Sequence, residues 1–263
     1  MSKQGKVYLI GAGPGDPELL TMRAMRMLQD ADVVVYDRLV SDDVLSLAPD
    51  SAERIFVGKA PNNHSVPQEQ INAILAGLAL DGHVVARLKG GDPLIFGRGS
   101  EEAAHLSDLG ICVEYAPGIT AAQGAAAFSG VPLTHRGLAT GVRYVTGHRQ
   151  ANGSLDLDWK SLASEETTLV VYMGVANIGQ IAMRLIAEGL PESTPVMAIE
   201  NATCHDERRL FCRLSTIVPE VREAGLEAPV LFVIGRVVSL SSEWTDTSNA
   251  TLIATPEVKV ANA

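Results

Sequence analysis

The run Gly11-Ala12-Gly13-Pro14-Gly15-Asp16-Pro17 lies between a strand-like and a helix-like segment, where the phosphate-binding turn of a dinucleotide fold would sit. Asp37, at the end of the second strand-like run, stands where a ribose-binding acid would be expected. The chemistry does not suit a diphosphate. The third glycine of the fingerprint, which lets the helix pack on the strand, is missing. Pro14 and Pro17 remove N–H donors where a pyrophosphate needs them, and Asp16 adds negative charge. Such a turn suits a neutral or cationic ligand, and a nicotinamide-dependent oxidoreductase is disfavoured on the same ground.

The elements that must position this turn follow a βα alternation. Strands are expected at 7–10, 33–36, 55–57, 84–88 and 112–115, with helices at 18–29, 68–80, 101–109 and an Ala/Gly-rich one at 120–128. The pattern breaks into Pro, Gly and isolated basic residues over 130–141. A second series follows, with strands at 142–146, 168–172, 196–199, 210–214 and 230–234 and a helix at 178–188. This reads as two α/β domains, 1–136 and 137–240, against the competitor of one large doubly wound domain. The Ser/Thr/Ala-rich stretch 241–263 has no clear period, and a disordered tail is expected there.

Bulk properties narrow the function classes. Apolar residues make up 46% and charged residues 20% of 263 residues, the balance of a soluble globular protein. No run approaches the roughly 18 apolar residues of a membrane span, and the N-terminus shows no apolar signal region. A cytoplasmic protein without a membrane partner is expected. Cys112, Cys204 and Cys212 are few, odd in number and widely spaced, which points to reduced thiols. Cys204, His205 and Cys212 match no zinc-ligand spacing, so no metal is expected. The net charge of −10 disfavours nucleic acid, which needs a basic face. Basic residues concentrate in the first half, with 13 Lys/Arg against 16 Asp/Glu in 1–150 and 8 against 15 in 151–263.

Several long motifs carry a resemblance. Val7-Tyr8-Leu9-Ile10 through the glycine turn to Glu18-Leu19-Leu20-Thr21, and Ala31-Asp32-Val33-Val34-Val35-Tyr36-Asp37-Arg38-Leu39-Val40, resemble the tetrapyrrole (corrin/porphyrin) methylases. Gly90-Gly91-Asp92-Pro93-Leu94-Ile95-Phe96-Gly97-Arg98-Gly99-Ser100-Glu101-Glu102, Pro117-Gly118-Ile119-Thr120 and Pro132-Leu133-Thr134-His135-Arg136-Gly137 resemble the branch that methylates uroporphyrinogen III. The likeness covers roughly 6–240. It implies a class III methyltransferase fold of two α/β domains with the active-site cleft between them, not a Rossmann fold. It further implies a homodimer that uses S-adenosylmethionine to methylate C2 and C7, giving precorrin-2 via precorrin-1, with S-adenosylhomocysteine as the other product. Precorrin-2 would feed sirohaem, cobalamin or haem d1.

Carried over position by position, the resemblance places the methyl donor against Pro14, Gly90, Gly91, Asp92, Ile95, Thr120, Ala121, Met173 and Ala202; at the last position the family more often has glycine. Glycine turns let backbone groups approach a ligand closely, and Asp92 can accept from a hydroxyl or ammonium. The implied substrate is a polycarboxylate with electron-rich pyrroles. Carbon attacks the sulfonium methyl directly, so the protein must align the reactants, hold the polyanion and manage one proton. Arginine is the natural carboxylate clamp, and Arg38, Arg98, Arg136 and Arg149 fall at strand ends or in loops, with His135 beside Arg136. Asp37 and Lys59 match the family's proton acceptor and donor. Arg98 and Glu101, three apart at a helix start and so on one face, are the other pair the family points to. His64 and His148 read as polar surface. Later corrin-pathway methylases, diphthine synthase, a ribosomal-RNA 2′-O-methylase and a non-catalytic tetrapyrrole carrier are the competing functions.

Overall fold

The computed structural model describes residues 5–58, 66–148, 155–245 and 250–254, and the chain divides into two compact units, Met1–Ala121 and Ala122–Ala263. The first contains β1 (Lys6–Gly11), α1 (Met22–Gln29), β2 (Val33–Tyr36), α2 (Asp42–Ser46), β3 (Glu53–Phe56), α3 (Gln68–Leu80), β4 (Val84–Lys89), α4 (Gly99–Asp108) and β5 (Cys112–Ala116). Its strands form one sheet in the order β3-β2-β4-β1-β5, with every pairing parallel.

Helices cover both faces of this sheet, which is why β1, β2 and β4 read as near-continuous apolar runs. One face buries Ile10, Val34, Ala86 and Leu88 under Leu28 of α1 and Val44 of α2. The other buries Leu9, Val35 and Val85 under Leu75 of α3 and Leu106 of α4. The connections leaving the adjacent strands β1 and β4 therefore go to opposite faces. Their C-terminal ends form a topological switch point, the place where open α/β sheets bind ligands.

The second unit begins with α5 (Ala121–Ser129) and continues β6 (Gly141–Thr146), α6 (Trp159–Leu162), β7 (Thr167–Tyr172), α7 (Ile178–Ala187), β8 (Pro195–Glu200), β9 (Arg208–Arg213), α8 (Ile217–Glu223), β10 (Val230–Ile234) and β11 (Thr251–Ala254). The strand order is β11-β9-β8-β10-β7-β6. Only β6 and β7 pair in parallel, so this sheet is mixed. Its core includes Leu169, Ile181, Leu185, Phe232 and Cys212. Burial pushes the Cys212 thiol up to about 12, so it packs as an unreactive apolar group.

The compact units divide at 121/122, and α5 is bonded within the second: Ala122 N–H donates to the Tyr172 hydroxyl at 3.2 Å and Ser129 O accepts from Ser241 Oγ at 3.3 Å. Two expectations are corrected. The expected helix at 18–29 is a 3-10 turn, Pro17–Leu19, followed by α1. Leu20 and Thr21 are extended between them, and Thr21 caps α1 by accepting from Ala24 N–H. The stretch expected to be a tail supplies β11, which pairs antiparallel with β9 and covers an otherwise open edge; residues 246–249 and 255–263 lie outside the described residues.

The glycine-built loop ends give the fold a sharp test. A Cβ on Gly118 would lie 2.1 Å from the Gly91 carbonyl oxygen, whereas a Cβ on Gly77, on the exposed side of α3, would meet nothing within 4 Å. Gly77→Ala is expected to raise stability by about 0.5–1 kcal/mol through helix propensity. Gly118→Ala should lower it by about 1–3 kcal/mol through overpacking. Chemical denaturation of both variants checks this, and equal midpoints would refute it.

Candidate functional site

The C-terminal edge of the first sheet is made of backbone. Gly13 and Gly91 exchange two hydrogen bonds, Gly91 N to Gly13 O at 2.7 Å and Gly13 N to Gly91 O at 3.2 Å, which joins the loops after β1 and β4. Gly11, Gly91 and Gly118 approach so closely that any Cβ on Gly11 would lie 2.4 Å from Gly118 N. Gly13 and Gly91 both have left-handed backbone (φ 73° and 68°), which glycine adopts without steric cost. Asp16 accepts from Glu18 N–H at 2.8 Å, so it caps the turn. Pro14 sits half-buried within the same turn.

Two N-cap hydroxyls latch this edge from behind. Thr21 Oγ1 donates to Pro117 O at 3.2 Å, and Ser41 Oγ donates to Gly15 O at 2.6 Å while accepting from Val44 N–H. Asp92 belongs to the same framework. Its Oδ1 accepts from Leu94 N–H at 2.8 Å and its Oδ2 from Gly118 N–H at 3.0 Å. The carboxylate thus clamps two loops, and its remaining lone pairs stay open. Gly90 is held against Leu39, whose Cβ would be 2.6 Å from an added methyl. Thr120 is buried, Ala121 half-buried and Ile95 exposed.

Arg98 and Glu101 form a two-point ion pair at the start of α4, Nε to Oε1 at 2.9 Å and Nη2 to Oε2 at 2.6 Å. Both side chains are about half exposed (53% and 54%), so solvent screens the pair and it contributes little to stability. Arg98 and Phe96 have left-handed backbone (φ 57° and 55°), costing about 1–2 kcal/mol each without glycine's freedom. The strained turn is therefore not repaid by this pair, a pattern that goes with functional loops. The guanidinium holds the Glu101 carboxyl below its ordinary range, and the carboxylate raises Arg98 in turn. While paired, each keeps the other charged.

Behind this surface lies a buried ion cluster that the sequence reading missed. Arg87 and Lys89 occupy one face of β4 with side chains 3% and 5% exposed, and both bind Glu102, which is fully buried. Arg87 Nη2 also reaches Asp37 Oδ2 at 3.3 Å, while Asp37 Oδ1 accepts from Leu39 N–H at 3.1 Å. Burial, then the neighbouring Arg87, lowers Lys89 from its ordinary value. Desolvating such ions costs several kcal/mol apiece, and removing one partner typically costs about 3–5 kcal/mol. The available signal was two basic residues at alternate positions of an apolar strand, with a second acid directly after Glu101.

The remaining expected residues divide as follows. Arg38 is exposed beside Asp37. Lys59, His64 and Arg149 lie outside the described residues. In the second unit, His135 and Arg136 are exposed in a tight loop that His135 N–H closes on Ala139 O at 3.1 Å. Met173 follows β7, half exposed (52%) and with left-handed backbone (φ 54°). Ala202 is buried just past β8, between Asn201 and Thr203, whose φ values are 49° and 67°. Its neighbours take the left-handed positions, so Ala202 itself needs no positive φ.

The clamp role of Asp92 is checked by Asp92→Ala. Leaving the Leu94 and Gly118 amides unpaired is expected to cost about 1–3 kcal/mol, with both amides losing protection together in hydrogen exchange. Unchanged exchange at Gly118 would refute it.

Comparison with known proteins follows the same outline. The Tetrapyrrole (Corrin/Porphyrin) Methylases family matches residues 6–218. The chain is 57% identical over 239 residues to the uroporphyrinogen-III C-methyltransferase of Paracoccus denitrificans, covering 91% of this chain and 83% of that one. It is 52% identical over 239 residues to the siroheme synthase of Pseudoalteromonas atlantica, covering 91% of this chain but only 52% of the relative; the chain thus spans about half the length of such longer relatives. A crystal structure of uroporphyrin-III C-methyl transferase from Thermus thermophilus, complexed with S-adenyl homocysteine, superposes with a TM-score of 0.75 at 44% identity, covering 89% of this chain and 99% of that one. With its parallel first sheet, its glycine-built strand ends and a family match across most of its length, this chain belongs to the tetrapyrrole (corrin/porphyrin) methylases.

Proposed function

We propose that this protein is an S-adenosylmethionine-dependent uroporphyrinogen-III C-methyltransferase, methylating C2 and then C7 to give precorrin-2. The observation that carries the reading is the edge where Gly11, Gly91 and Gly118 meet backbone to backbone, flanked by the exposed Arg98–Glu101 pair. Glycines there leave a cradle that side chains would otherwise fill. These features fit a flat adenosyl ligand. Pro14, Gly90, Gly91, Asp92, Ile95, Thr120, Ala121, Met173 and Ala202 would hold S-adenosylmethionine, which when bound supplies the methyl group.

The chain's own task is to hold a polycarboxylate and dispose of one proton. Arg38, Arg98, Arg136 and Arg149, with His135, supply the carboxylate contacts. A substrate carboxylate that engages Arg98 competes with Glu101 for the guanidinium. Once released, Glu101 loses the partner that depresses its proton affinity and becomes a better acceptor. Asp37 and Lys59 serve as proton acceptor and donor, the roles that the family resemblance implies. A homodimer in the cytoplasm completes the proposal, supported by the family resemblance.

Incubation with uroporphyrinogen III and methyl-labelled S-adenosylmethionine is expected to give a dimethylated, dihydro-isobacteriochlorin-type product. No label transfer by a folded preparation would overturn the assignment. In single turnover, Arg98→Ala and Glu101→Ala should each slow methylation by roughly 100-fold or more, the scale of acid–base and positioning losses; near-wild-type rates would remove both residues from the mechanism.

A further inference from the structure

One carboxylate holds both cations of β4. Glu102 Oε1 accepts from Lys89 Nζ at 2.9 Å, Gln68 Nε2 at 3.1 Å and Arg87 Nε at 3.3 Å, whereas Oε2 is buried with no hydrogen-bond partner among the described residues. A cluster selected for stability alone would use both oxygens, since a buried unmet acceptor is costly. Arg87 is fastened at every nitrogen. Beyond Glu102, its Nη1 donates to Leu88 O at 3.1 Å and Val35 O at 3.5 Å, and its Nη2 to Asp37 Oδ2 at 3.3 Å. Exposure rises along this chain from 0% at Glu102 through 3% at Arg87 to 26% at Asp37. It runs from the core to the edge where the sheet meets its ligands.

We propose that Glu102 is a positioning residue for methyl transfer, aiming the Arg87 guanidinium so that the Asp37 carboxylate is held in place at the strand ends. The proposal rests on the reading of Asp37 as part of the reaction. It adds a residue that touches neither ligand. Glu102 follows Glu101 in α4, but Glu101 is exposed and paired with Arg98 while Glu102 is buried and turned to β4. One helical turn thereby sets the spacing between the Arg98–Glu101 pair and Asp37. Charge alone does not explain the arrangement, because either carboxylate could neutralise one cation without sharing a guanidinium.

The test is a double-mutant cycle in the full chain with Glu102→Gln, Asp37→Asn and the combined variant. Glu102→Gln is expected to cut the single-turnover methylation rate roughly ten- to a hundredfold, the scale of a displaced catalytic group, with S-adenosylhomocysteine affinity by calorimetry unchanged. The double variant should be no slower than Asp37→Asn alone, since coupled residues are non-additive. Losses that multiply, or a wild-type rate in either single variant, would overturn the proposal. A second readout needs no turnover. In protein carrying 13C-labelled aspartate, the Asp37 carboxyl resonance, assigned by its loss in Asp37→Asn, should move more in Glu102→Gln than any other aspartate resonance. An unmoved Asp37 resonance overturns the proposal; failure of the wild-type protein to methylate uroporphyrinogen III, with the resonance moved, sinks only the substrate reading. Should Glu102→Gln fail to fold, Arg87→Lys carries the same two readouts, because it keeps the buried charge but cannot span both carboxylates.

Discussion

At the C-terminal edge of the first sheet the backbones of Gly11, Gly91 and Gly118 lie in contact, with no room for a methyl group on Gly11 or Gly118. The three residues end or follow β1, β4 and β5, so the contact ties together strand ends far apart in sequence. The Gly13–Gly91 hydrogen-bond exchange and the Asp92 bonds to Leu94 and Gly118 depend on that closeness. So do the Thr21 and Ser41 hydroxyls, which fasten the loops to the starts of α1 and α2. An edge assembled this way is stiff because its polar groups satisfy one another, and a stiff edge is what preorganisation for a reacting ligand requires.

The same edge separates two classes of charge. Glu101 and Glu102 are neighbours in α4, yet one pairs with Arg98 in solvent and the other sits fully buried between Arg87 and Lys89. Helical geometry alone makes this split, since successive residues are turned about 100° apart. Exposed charge can exchange partners at little cost, which suits groups that must meet a polycarboxylate. Buried charge cannot, because each ion pays for desolvation and keeps only the partners that the fold provides. Asp37, half-buried and bonded to both Arg87 and the Leu39 amide, stands where the two classes meet.

The second unit follows different rules. Its mixed sheet places Met173 and Ala202 just past β7 and β8, beside or within left-handed turns formed without glycine. Side chains and backbone hold these turns: Asn201 Nδ2 donates to Asp206 Oδ2 at 2.7 Å, and Thr203 N–H donates to Glu207 Oε2 at 2.5 Å. Glu207 and Glu200 in turn pair with Arg209 and Arg208. The loop after β8 thus has its own ion-pair framework, where the first unit relies on glycine contact.

Much of this was written in local patterns. Apolar runs of β-branched residues marked β1, β2, β4 and β10, and the Gly-Ala-Gly-Pro-Gly-Asp-Pro order excluded a diphosphate turn because proline lacks an N–H whatever the fold around it. The exposed Arg98–Glu101 pair followed from spacing on one helix face. Other features rest on contacts between distant segments. The break between the 3-10 turn and α1 depends on Thr21 capping one element while bonding to Pro117, and β11 forms because β9 offers an edge. That Asp92 also clamps two loops depends on Gly118 N–H lying 3.0 Å from its carboxylate. The sequence by itself determined the family, the parallel first sheet and the chemistry of the glycine turn, because these follow from residue type and short-range order. Tertiary structure alone decided that Arg87, Lys89 and Glu102 share one buried cluster with Asp37, because only long-range packing sets which charges lose their water and which partner each then keeps.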